Sequence, residues 1–483
     1  MASRSDRVMF MVGLLATALT AIGWWFGGQL HPVWWLTWLA PLPMLWLATR
    51  VPARWAALAT FVAFAVGDMP YWSYMHTVVG LPLPATLFAI LVPALIFMLA
   101  VLLYRRLIRQ NRYLFGALAV PVLIVAAYFL NGVTNVNGTW GDIGYTQVNA
   151  LAVIQIAAIT GIAGVGFLVL LGPTVAATLC NSAASRAARL RVLGIGGGLI
   201  ALALMYGAWR LHAAPAESGT PMKIGLVSLK GPVPAPLDSL EGRRLQQRYA
   251  DAIHDLSVRG AQTVVLPETV WAATQPTVPA LATQAQRTDI NILTGLAWHP
   301  AGKPARNASL VFSPQEASPA LYRKQHLVPG LEKQYTPGNT YTMLDGTPRI
   351  GMAICKDMDF PSIGLNYAKR DAQLLLVPAW DFNIDGWLHS HMAIMRGVES
   401  GFAIARAARD GRLTLSDDRG RVLAEADSVN RDAQLVGTLY LRHTHTLYAR
   451  WGNWFGWLDV AALAVLLGLA WGPSRSREYR TKP

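Results

Sequence analysis

The chain is poor in cysteine and in charged residues. Only two cysteines occur in 483 residues: Cys180 in or beside an apolar segment, and Cys355 deep in a stretch of globular character. A disulfide framework is therefore excluded. Charged residues make up 14% of the chain and hydrophobic residues 53%. This balance is far from that of a soluble protein and indicates insertion into a membrane.

Long apolar runs occur in the first 210 residues and again near the end of the chain. Crossing a hydrocarbon layer of ~30 Å takes about 20 apolar helical residues. Eight segments approach this requirement: 8–26, 33–49, 55–69, 82–104, 114–130, 150–178, 192–209 and 454–472. We therefore predict a multi-pass α-helical membrane domain of about eight transmembrane helices. The segment 150–178 is over-long and contains Gly161 and Pro173, so we expect its first part to be buried or re-entrant.

Lysine and arginine lie on alternate loops between these segments. The clusters are Arg4 and Arg7; Arg50 and Arg54; Arg105, Arg106, Arg109 and Arg112; Arg186, Arg189 and Arg191; and Arg475, Arg477, Arg480 and Lys482. The loops 27–32, 70–81 and 131–149 contain neither residue type. The positive-inside rule therefore predicts cytoplasmic termini and an outer location for 211–453. Because membrane orientation accounts for the basic clusters, we expect no nucleic-acid partner.

The outer region alternates short β-rich runs with amphipathic stretches. The β-rich runs are 223–229, 263–268, 290–298, 308–313, 349–357 and 372–380, and helical patterns occupy 239–259 and 389–401. This order predicts an α/β layered domain. We expect a membrane domain at 1–212, a catalytic domain at 213–450, and a last transmembrane helix with a basic cytoplasmic tail at 451–483.

Three ionisable residues follow apolar strands in this domain. Glu268 closes TVVLPE, Lys324 follows ALYR, and Cys355 ends RIGMAIC. A group held at a strand end is partly desolvated, so its pKa and reactivity can be shifted. Taken singly, each has an ordinary structural explanation: a solvated glutamate, a surface lysine and a buried small thiol. However, Cys355 is the only thiol on the predicted outer side, where an unpaired cysteine is liable to oxidation, which favours a catalytic role.

Three motifs around these residues resemble the signatures of the nitrilase, or carbon–nitrogen hydrolase, superfamily. They are LPET (266–269), YRKQHLVPGLE (322–332) and GMAICKDMDFP (351–361). With seven spans before the domain and one after it, the chain resembles the membrane branch, the bacterial apolipoprotein N-acyltransferases. The similarity continues through 141–149, 378–382, 389–401 and 404–413. It implies an αββα sandwich on the periplasmic face of the bacterial inner membrane.

The resemblance also implies roles for individual residues. Cys355 would be the nucleophile, Glu268 the general base, and Lys324 the cation that stabilises the oxyanion, which agrees with the chemistry that a thiol, a carboxylate and an ammonium group can supply. The residues expected to support them or orient the substrate are Glu332, Lys356, Asp357 and Trp380. We expect no cofactor and no metal, because His326, His389 and His391 lack an acidic ligand motif.

The implied reaction moves an acyl chain from a phospholipid, through a Cys355 thioester, to the α-amine of a diacylated apolipoprotein. A membrane-anchored amidase or esterase, in which water resolves the thioester, and a non-catalytic scaffold are the alternatives. Two departures from the family pattern leave the acceptor open. Lys356 stands where the acyltransferases carry tyrosine, and we expect it to lower the pKa of Cys355. Arg409 and Asp410 replace a more neutral run. We expect a monomer.

Overall fold

A computed structural model describes residues 4–472. The predicted basic cluster at Arg475, Arg477, Arg480 and Lys482 lies outside the described residues. The N-terminal part is helical and contains α1 (Arg4–Gly27), α2 (Leu36–Leu39), α3 (Leu42–Ala48), α4 (Ala53–Gly67), α5 (Pro70–Trp72), α6 (Leu83–Arg109), α7 (Tyr113–Thr134), α8 (Leu151–Ile154), α9 (Ala157–Thr160), α10 (Ile162–Leu179), α11 (Arg186–Val192) and α12 (Gly198–Ala213).

Within residues 4–472, six helices are long and apolar enough to cross a membrane. They are α1, α6, α7, α10, the pair α11–α12, and α18 (Trp454–Trp471) at the end of the described residues. A π-helical turn at Leu193–Gly197 joins α11 to α12. These helices match the predicted first, fourth, fifth, seventh and eighth segments and the second part of the sixth. The multi-pass helical membrane domain is therefore confirmed.

The predicted segments 33–49 and 55–69 form shorter helices. The first divides into α2 and α3 at Ala40 and Pro41, and the second is α4, with 15 residues. After α4 the backbone stays right-handed helical through Asp68 and Met69 into α5 and the π-helical turn Ser73–Val78. At 1.5 Å per residue α4 alone covers about 22 Å, so it needs this continuation to cross a full layer.

The predicted segment 150–178 is interrupted at Gly161, where α9 ends and α10 begins. Gly161 has φ +69°, and a Cβ there would lie 2.5 Å from the ring of Tyr448. Only glycine combines this backbone conformation with such a close approach. The short helices α8 and α9 before the break are mostly buried, so the prediction that this part is buried is confirmed.

The α/β domain, called the outer domain after its predicted location, contains two sheets and four helices that cover them. In chain order its elements are β1 (Thr220–Ser228), β2 (Ala235–Pro236), α13 (Leu240–Val258), β3 (Thr263–Val265), β4 (Trp271–Ala273), α14 (Pro279–Thr288), β5 (Asn291–Trp298), β6 (Arg306–Phe312), β7 (Ala320–Arg323), β8 (Ile350–Met352), α15 (Pro361–Ala368), β9 (Leu374–Trp380), α16 (Gly386–Ser400), β10 (Ala403–Arg409), β11 (Arg412–Ser416), β12 (Val422–Asp427) and β13 (Ala433–Leu441). The chain then forms α17 (Leu447–Trp451) and α18.

The first sheet has the order β13-β1-β3-β5-β4-β2, with β6 paired to β5 and β7 to β6. The second has the order β12-β11-β10-β9-β8. Apolar side chains from both sheets, among them Ile224, Leu293, Leu374 and Ala405, form the core between them. Helices α13 and α14 cover the outer face of the first sheet, and α15 and α16 cover that of the second. The predicted αββα sandwich is therefore confirmed.

Helix α16 is buried on two sides. Ala393 packs against the second sheet, whereas Trp387, Met392 and Met395 pack against α8, α10 and the short 3₁₀ helix Ile143–Gln147 of the membrane part. Polar contacts add to this packing, since the carboxylate of Glu399 accepts a hydrogen bond from the first backbone N–H of α10 at 2.6 Å. The outer domain and the membrane part therefore share this helix as a common layer.

Candidate active site

The Lys324 ammonium lies between two carboxylates at the end of β7. Its Nζ is 2.8 Å from Oε1 of Glu268 and 2.9 Å from Oε2 of Glu332. Lys324 is 1% exposed and Glu268 4%, so this pairing takes place away from bulk water. A buried charge needs partners of this kind, because an unpaired ion in such surroundings costs several kcal/mol.

The strands bring these groups together. Glu268 follows β3, and its backbone N–H donates to the carbonyl of Ala379 at the end of β9, so it links the two sheets. A Cβ at Gly295, on the neighbouring β5, would lie 2.6 Å from the Cα of Glu268, so only glycine allows this strand to pass so closely. The Lys324 N–H donates to the carbonyl of Asn307 on β6 at 2.9 Å.

Asn307 is a site residue that the sequence patterns did not indicate. Its Nδ2 donates to Oε1 of Glu268 and to Oε1 of Glu332, both at 2.6 Å. The amide therefore bridges the same two carboxylates as Lys324 does. Asn307 is 2% exposed at the start of β6, in the run RNAS, and a lone amide before an apolar strand carries no distinctive sequence signal.

Cys355 begins a short 3₁₀ helix, Cys355–Asp359, which follows β8 after Ala353 and Ile354. Its φ of +42° is unusual for a residue with a Cβ and places the nucleophile candidate on a sharp turn. Strain of this kind persists only where surrounding contacts fix the backbone. The thiol is partly exposed, and Sγ lies 3.7 Å from the carbonyl oxygen of Trp380.

Asp357 supplies contacts that fix this turn. One carboxylate oxygen accepts from the Ile354 N–H at 3.1 Å and from the hydroxyl of Tyr322 at 2.8 Å. The other accepts from the backbone N–H groups of Gln325 and His326 at 3.1 and 2.9 Å. Fully buried, Asp357 therefore connects the Cys355 turn to the strand end that carries Lys324.

Lys356 does not act on the thiol as we expected. Its Nζ binds Oδ1 of Asn137 and Oδ2 of Asp359, at 3.0 and 3.2 Å, on the side of the membrane part. The pKa of Cys355 is raised, and the cations that oppose this rise are Lys324 and Arg406. The prediction that Lys356 lowers the pKa of Cys355 is wrong because the ammonium binds Asn137 and Asp359 on the side of the membrane part.

Burial and charge set the protonation of the three predicted catalytic residues. Burial raises the pKa of Cys355 well above its usual value, and the Glu268 carboxylate adds to this rise. Burial also raises the pKa of Glu268, although Lys324 opposes it. Burial lowers the pKa of Lys324. The nearby groups of Glu268, Cys355 and Glu332 raise it by more, so the Lys324 pKa is well above its usual value. A neutral thiol thus lies beside a carboxyl group of raised proton affinity and an ammonium group that stays charged.

Trp380 is 38% exposed at the end of β9, beside the thiol. The guanidinium of Arg409 lies over its ring, 5.1 Å from the centroid. The next residue, Asp381, forms a buried pair with Arg406, whose Nη1 is 2.9 Å from Oδ2 of Asp381. Arg409, one of the departures from the family pattern, therefore contacts the site through Trp380. Its ion partner is Asp410, whose carboxylate lies 3.3 Å from the Arg409 guanidinium.

Two family models match this chain, one in each of its two parts. The family model described as the apolipoprotein N-acyltransferase N-terminal domain matches residues 13–175, and the model described as carbon–nitrogen hydrolase matches residues 242–441. Omega-amidase NIT2 of Pongo abelii is 30% identical over 37% of this chain and 77% of its own. Solved structures with the likeness include an amidase from Nesterenkonia sp. (22% identity, 47% of this chain and 94% of that one, TM-score 0.39) and Saccharomyces cerevisiae Nit3 (20%, 55% and 100%, TM-score 0.41).

Relatives named apolipoprotein N-acyltransferase match nearly the whole chain. An apolipoprotein N-acyltransferase of Geobacter metallireducens is 25% identical over 90% of this chain and 91% of its own. That of Haemophilus ducreyi is 23% identical over 90% and 92%. Because both family models and these relatives agree, the chain belongs to the apolipoprotein N-acyltransferase family, the membrane branch of the carbon–nitrogen hydrolases.

Proposed function

We propose that this chain is a bacterial membrane acyltransferase that moves an acyl chain from a phospholipid to the N-terminal amine of a diacylated lipoprotein, with Cys355 as nucleophile. The observation that carries the proposal is the buried ion pair of Lys324 with Glu268 beside the Cys355 thiol, in a domain whose helix α16 packs on the membrane helices. Relatives named apolipoprotein N-acyltransferase match both parts of the chain.

In the first half-reaction Glu268 takes the proton of the Cys355 thiol as sulfur attacks the ester carbonyl of the phospholipid. The raised pKa values of both groups favour transfer during attack over a standing thiolate. Lys324 stabilises the negative charge that develops on the carbonyl oxygen. The ester C–O bond then breaks, the lysophospholipid oxygen takes the proton from Glu268, and the acyl group remains on sulfur as a thioester.

The second half-reaction begins when the lipoprotein amine attacks the thioester carbonyl. Glu268 accepts the proton lost by the nitrogen and returns it to the departing Cys355 sulfur, so the enzyme regains its starting state. Lys324 again stabilises the negative charge of the tetrahedral intermediate. Glu332 and Asn307 hold Lys324 and Glu268 in place through both steps.

Water could replace the amine in the second half-reaction, and the chain would then be a membrane-bound amidase or esterase. The likeness to an enzyme named omega-amidase favours testing this alternative. The two reactions differ only in the acceptor, so product analysis with and without the lipopeptide amine separates them. Release of free fatty acid in place of N-acylated product would favour hydrolysis.

The nucleophile assignment is tested with Cys355→Ala in the full-length protein, solubilised with a phospholipid and a diacylated lipopeptide. We expect N-acylated lipopeptide from the parent protein and none from the variant. Cys180→Ala is the matched control, because Cys180 is the other thiol of the chain and we expect its loss to leave the activity unchanged. N-acylation by Cys355→Ala at the parent rate would overturn the assignment.

A further inference from the structure

The residue that follows the nucleophile belongs to a polar chain running from the active-site turn into the membrane part. Lys356 is 7% exposed, and its ammonium binds Asn137 in the loop after α7 as well as Asp359 in its own turn. The amide oxygen of Asn137 and the carboxylate of Asp359 each accept a hydrogen bond from one of the three N–H donors of this ammonium group. Both partners therefore hold the buried Lys356 side chain in place. The loop 135–140 is thereby joined to the Cys355 turn.

A second set of contacts joins the same two segments through their backbones. The carbonyl of Asp359 accepts from the backbone N–H and from Oγ1 of Thr139, at 2.9 and 2.8 Å. Gly138 has φ +56°, and a Cβ there would lie 2.5 Å from the Asp359 carbonyl oxygen. The membrane loop therefore approaches the turn so closely that only glycine fits.

The far end of the turn is connected to another outer segment of the membrane part. Nδ1 of His389 lies 3.9 Å from the Asp359 carboxylate, and its Nε2 lies 3.1 Å from Asp385. The hydroxyl of Tyr74, in the π-helical turn after α5, donates to Asp385 at 2.9 Å. The loop at Asn137 and Thr139 therefore contacts the five-residue turn directly, and the segment of Tyr74 connects to that turn through Asp385 and His389.

Adjacent residues of this turn face opposite ways. Asp357 ties it to the strand end of Lys324, whereas Lys356 and Asp359 tie it to the loop at Asn137 and Thr139. Cys355, with its positive φ, is thus held between the catalytic sheet and the membrane part. A shift of either support moves Sγ relative to Glu268 and Lys324, and a displacement of 1 Å can cost about 10²-fold in rate.

Resting on the proposed function, we propose that Lys356 is a positioning residue: through Asn137 it fastens the nucleophile turn to the membrane part, so that the acylation rate of Cys355 depends on how this loop is docked. Lys356 does not touch the acyl group in this role. The membrane part then contributes to the geometry of catalysis in addition to anchoring the domain.

The test measures acylation of Cys355 in single turnover, with full-length protein and phosphatidylethanolamine in mixed micelles, by the mass of the intact protein. We expect Lys356→Met and Asn137→Ala each to lower the acylation rate at saturating phospholipid by about tenfold, with an unchanged KM for phospholipid. Because both remove one shared contact, the double variant should be no slower than Lys356→Met alone. Lys356→Arg, which keeps the charge and the donors, should recover part of the rate.

Asn137 is an exposed loop residue, so Asn137→Ala retains the fold and keeps the test decisive even where Lys356→Met folds poorly. Lys369→Met removes an exposed lysine at the end of α15 and should acylate at the parent rate. Parent-like acylation by Asn137→Ala, or effects of the two substitutions that multiply in the double variant, would overturn the inference. Acylation in the absence of the Cys355 thiol would instead overturn the proposed function, so the two failures are distinct.

Discussion

Asn307 holds the carboxylates of Glu268 and Glu332 close together. Its amide and the Lys324 ammonium each donate to both Glu268 and Glu332, so two like charges are held close together at low solvent exposure. The hydrogen bond from Asn307 favours the charged form of Glu268 and lowers its pKa, against the larger effect of burial. The amide therefore tunes the proton affinity of the proposed base without carrying charge itself.

Replacing Asn307 by leucine should move the acid limb of the acylation rate to higher pH. Glu268 accepts the thiol proton only when it is ionised, so the rate falls as the pH falls through its pKa. Burial already raises that pKa, and loss of the Asn307 donor raises it further. The measurement is the single-turnover acylation rate as a function of pH, together with Asn366→Leu on α15, which should retain the parent profile. A limb that stays in place or moves to lower pH would contradict the proposed role of Glu268.

Glu268, Lys324 and Cys355 could be predicted because each follows an apolar strand and because their motifs resemble a known family. Asn307 could not, since its importance comes from the pairing of β6 with β5 and β7, which local sequence does not reveal. The effect of Lys356 on the pKa of Cys355 was predicted wrongly for a related reason. Adjacent residues in a tight turn point to different sides, and only the membrane loop at Asn137 decides which side holds the ammonium.

Helix α16 belongs to two hydrophobic cores, one beside the second sheet and one at the membrane part. Its residues are buried almost without exception, so it has no solvent-facing stripe of the kind that a surface helix shows. Arg396 and Glu399, an ion pair at 3.1 Å, are buried among these contacts, and Arg396 also donates to the hydroxyl of Tyr145 at 3.0 Å. Arg396 and Glu399 of this helix therefore bind groups of the membrane part, whereas its apolar residues pack on both sides.

Truncating Met395 to alanine should destabilise the joint between the two parts. Met395 is fully buried in the cluster with Tyr145, Ile154 and Trp387. Removing a buried methionine side chain costs about 2–5 kcal/mol in free energy of unfolding. Thermal unfolding of the solubilised protein checks this, with Met205→Ala as control because Met205 is 59% exposed and should change the midpoint little. Equal midpoints for the two variants would refute two-sided burial of α16.

The elements that the sequence predicts correctly are those whose apolar residues recur with a clear strand or helix period. The runs predicted as strands appear as β1, β3, β5, β6, β8 and β9, and the helical patterns as α13 and α16. Strand β10 (AIARAAR) escaped prediction because two arginines interrupt it, and one of them, Arg406, is neutralised by Asp381 from the neighbouring strand end. The division of segment 33–49 at Ala40 and Pro41 depends on packing that hydropathy does not record.

For the molecule as a whole, the arrangement of arginines predicts which side of the membrane each part occupies. The two cysteines fall on opposite sides in that prediction, with Cys180 exposed in the loop between α10 and α11 and Cys355 in the outer domain. Native thiols can therefore report orientation with few substitutions.

The Cys355→Ala variant keeps Cys180 as its sole thiol. In this variant a membrane-impermeant maleimide should label Cys180 in inside-out vesicles and leave it unlabelled in intact spheroplasts. Moving the thiol to the outer domain, with Glu241→Cys in a chain lacking both native cysteines, should reverse this pattern, because Glu241 is exposed on α13. The reason is the positive-inside rule, which assigns the arginine-rich loops to the cytoplasm. Labelling of Cys180 from outside would invert the predicted topology.

The interruption at Gly161 has a consequence for how the molecule is completed during synthesis. Tyr448 packs against this break, and Trp454 donates from Nε1 to the carbonyl of Ile159, at 2.8 Å, just before it. Both partners lie far downstream of Gly161 in the sequence, so they leave the ribosome after it. We therefore expect the packing around the Gly161 break to remain incomplete until α17 and α18 have been synthesised, so that a nascent chain gains acylating competence only after that point.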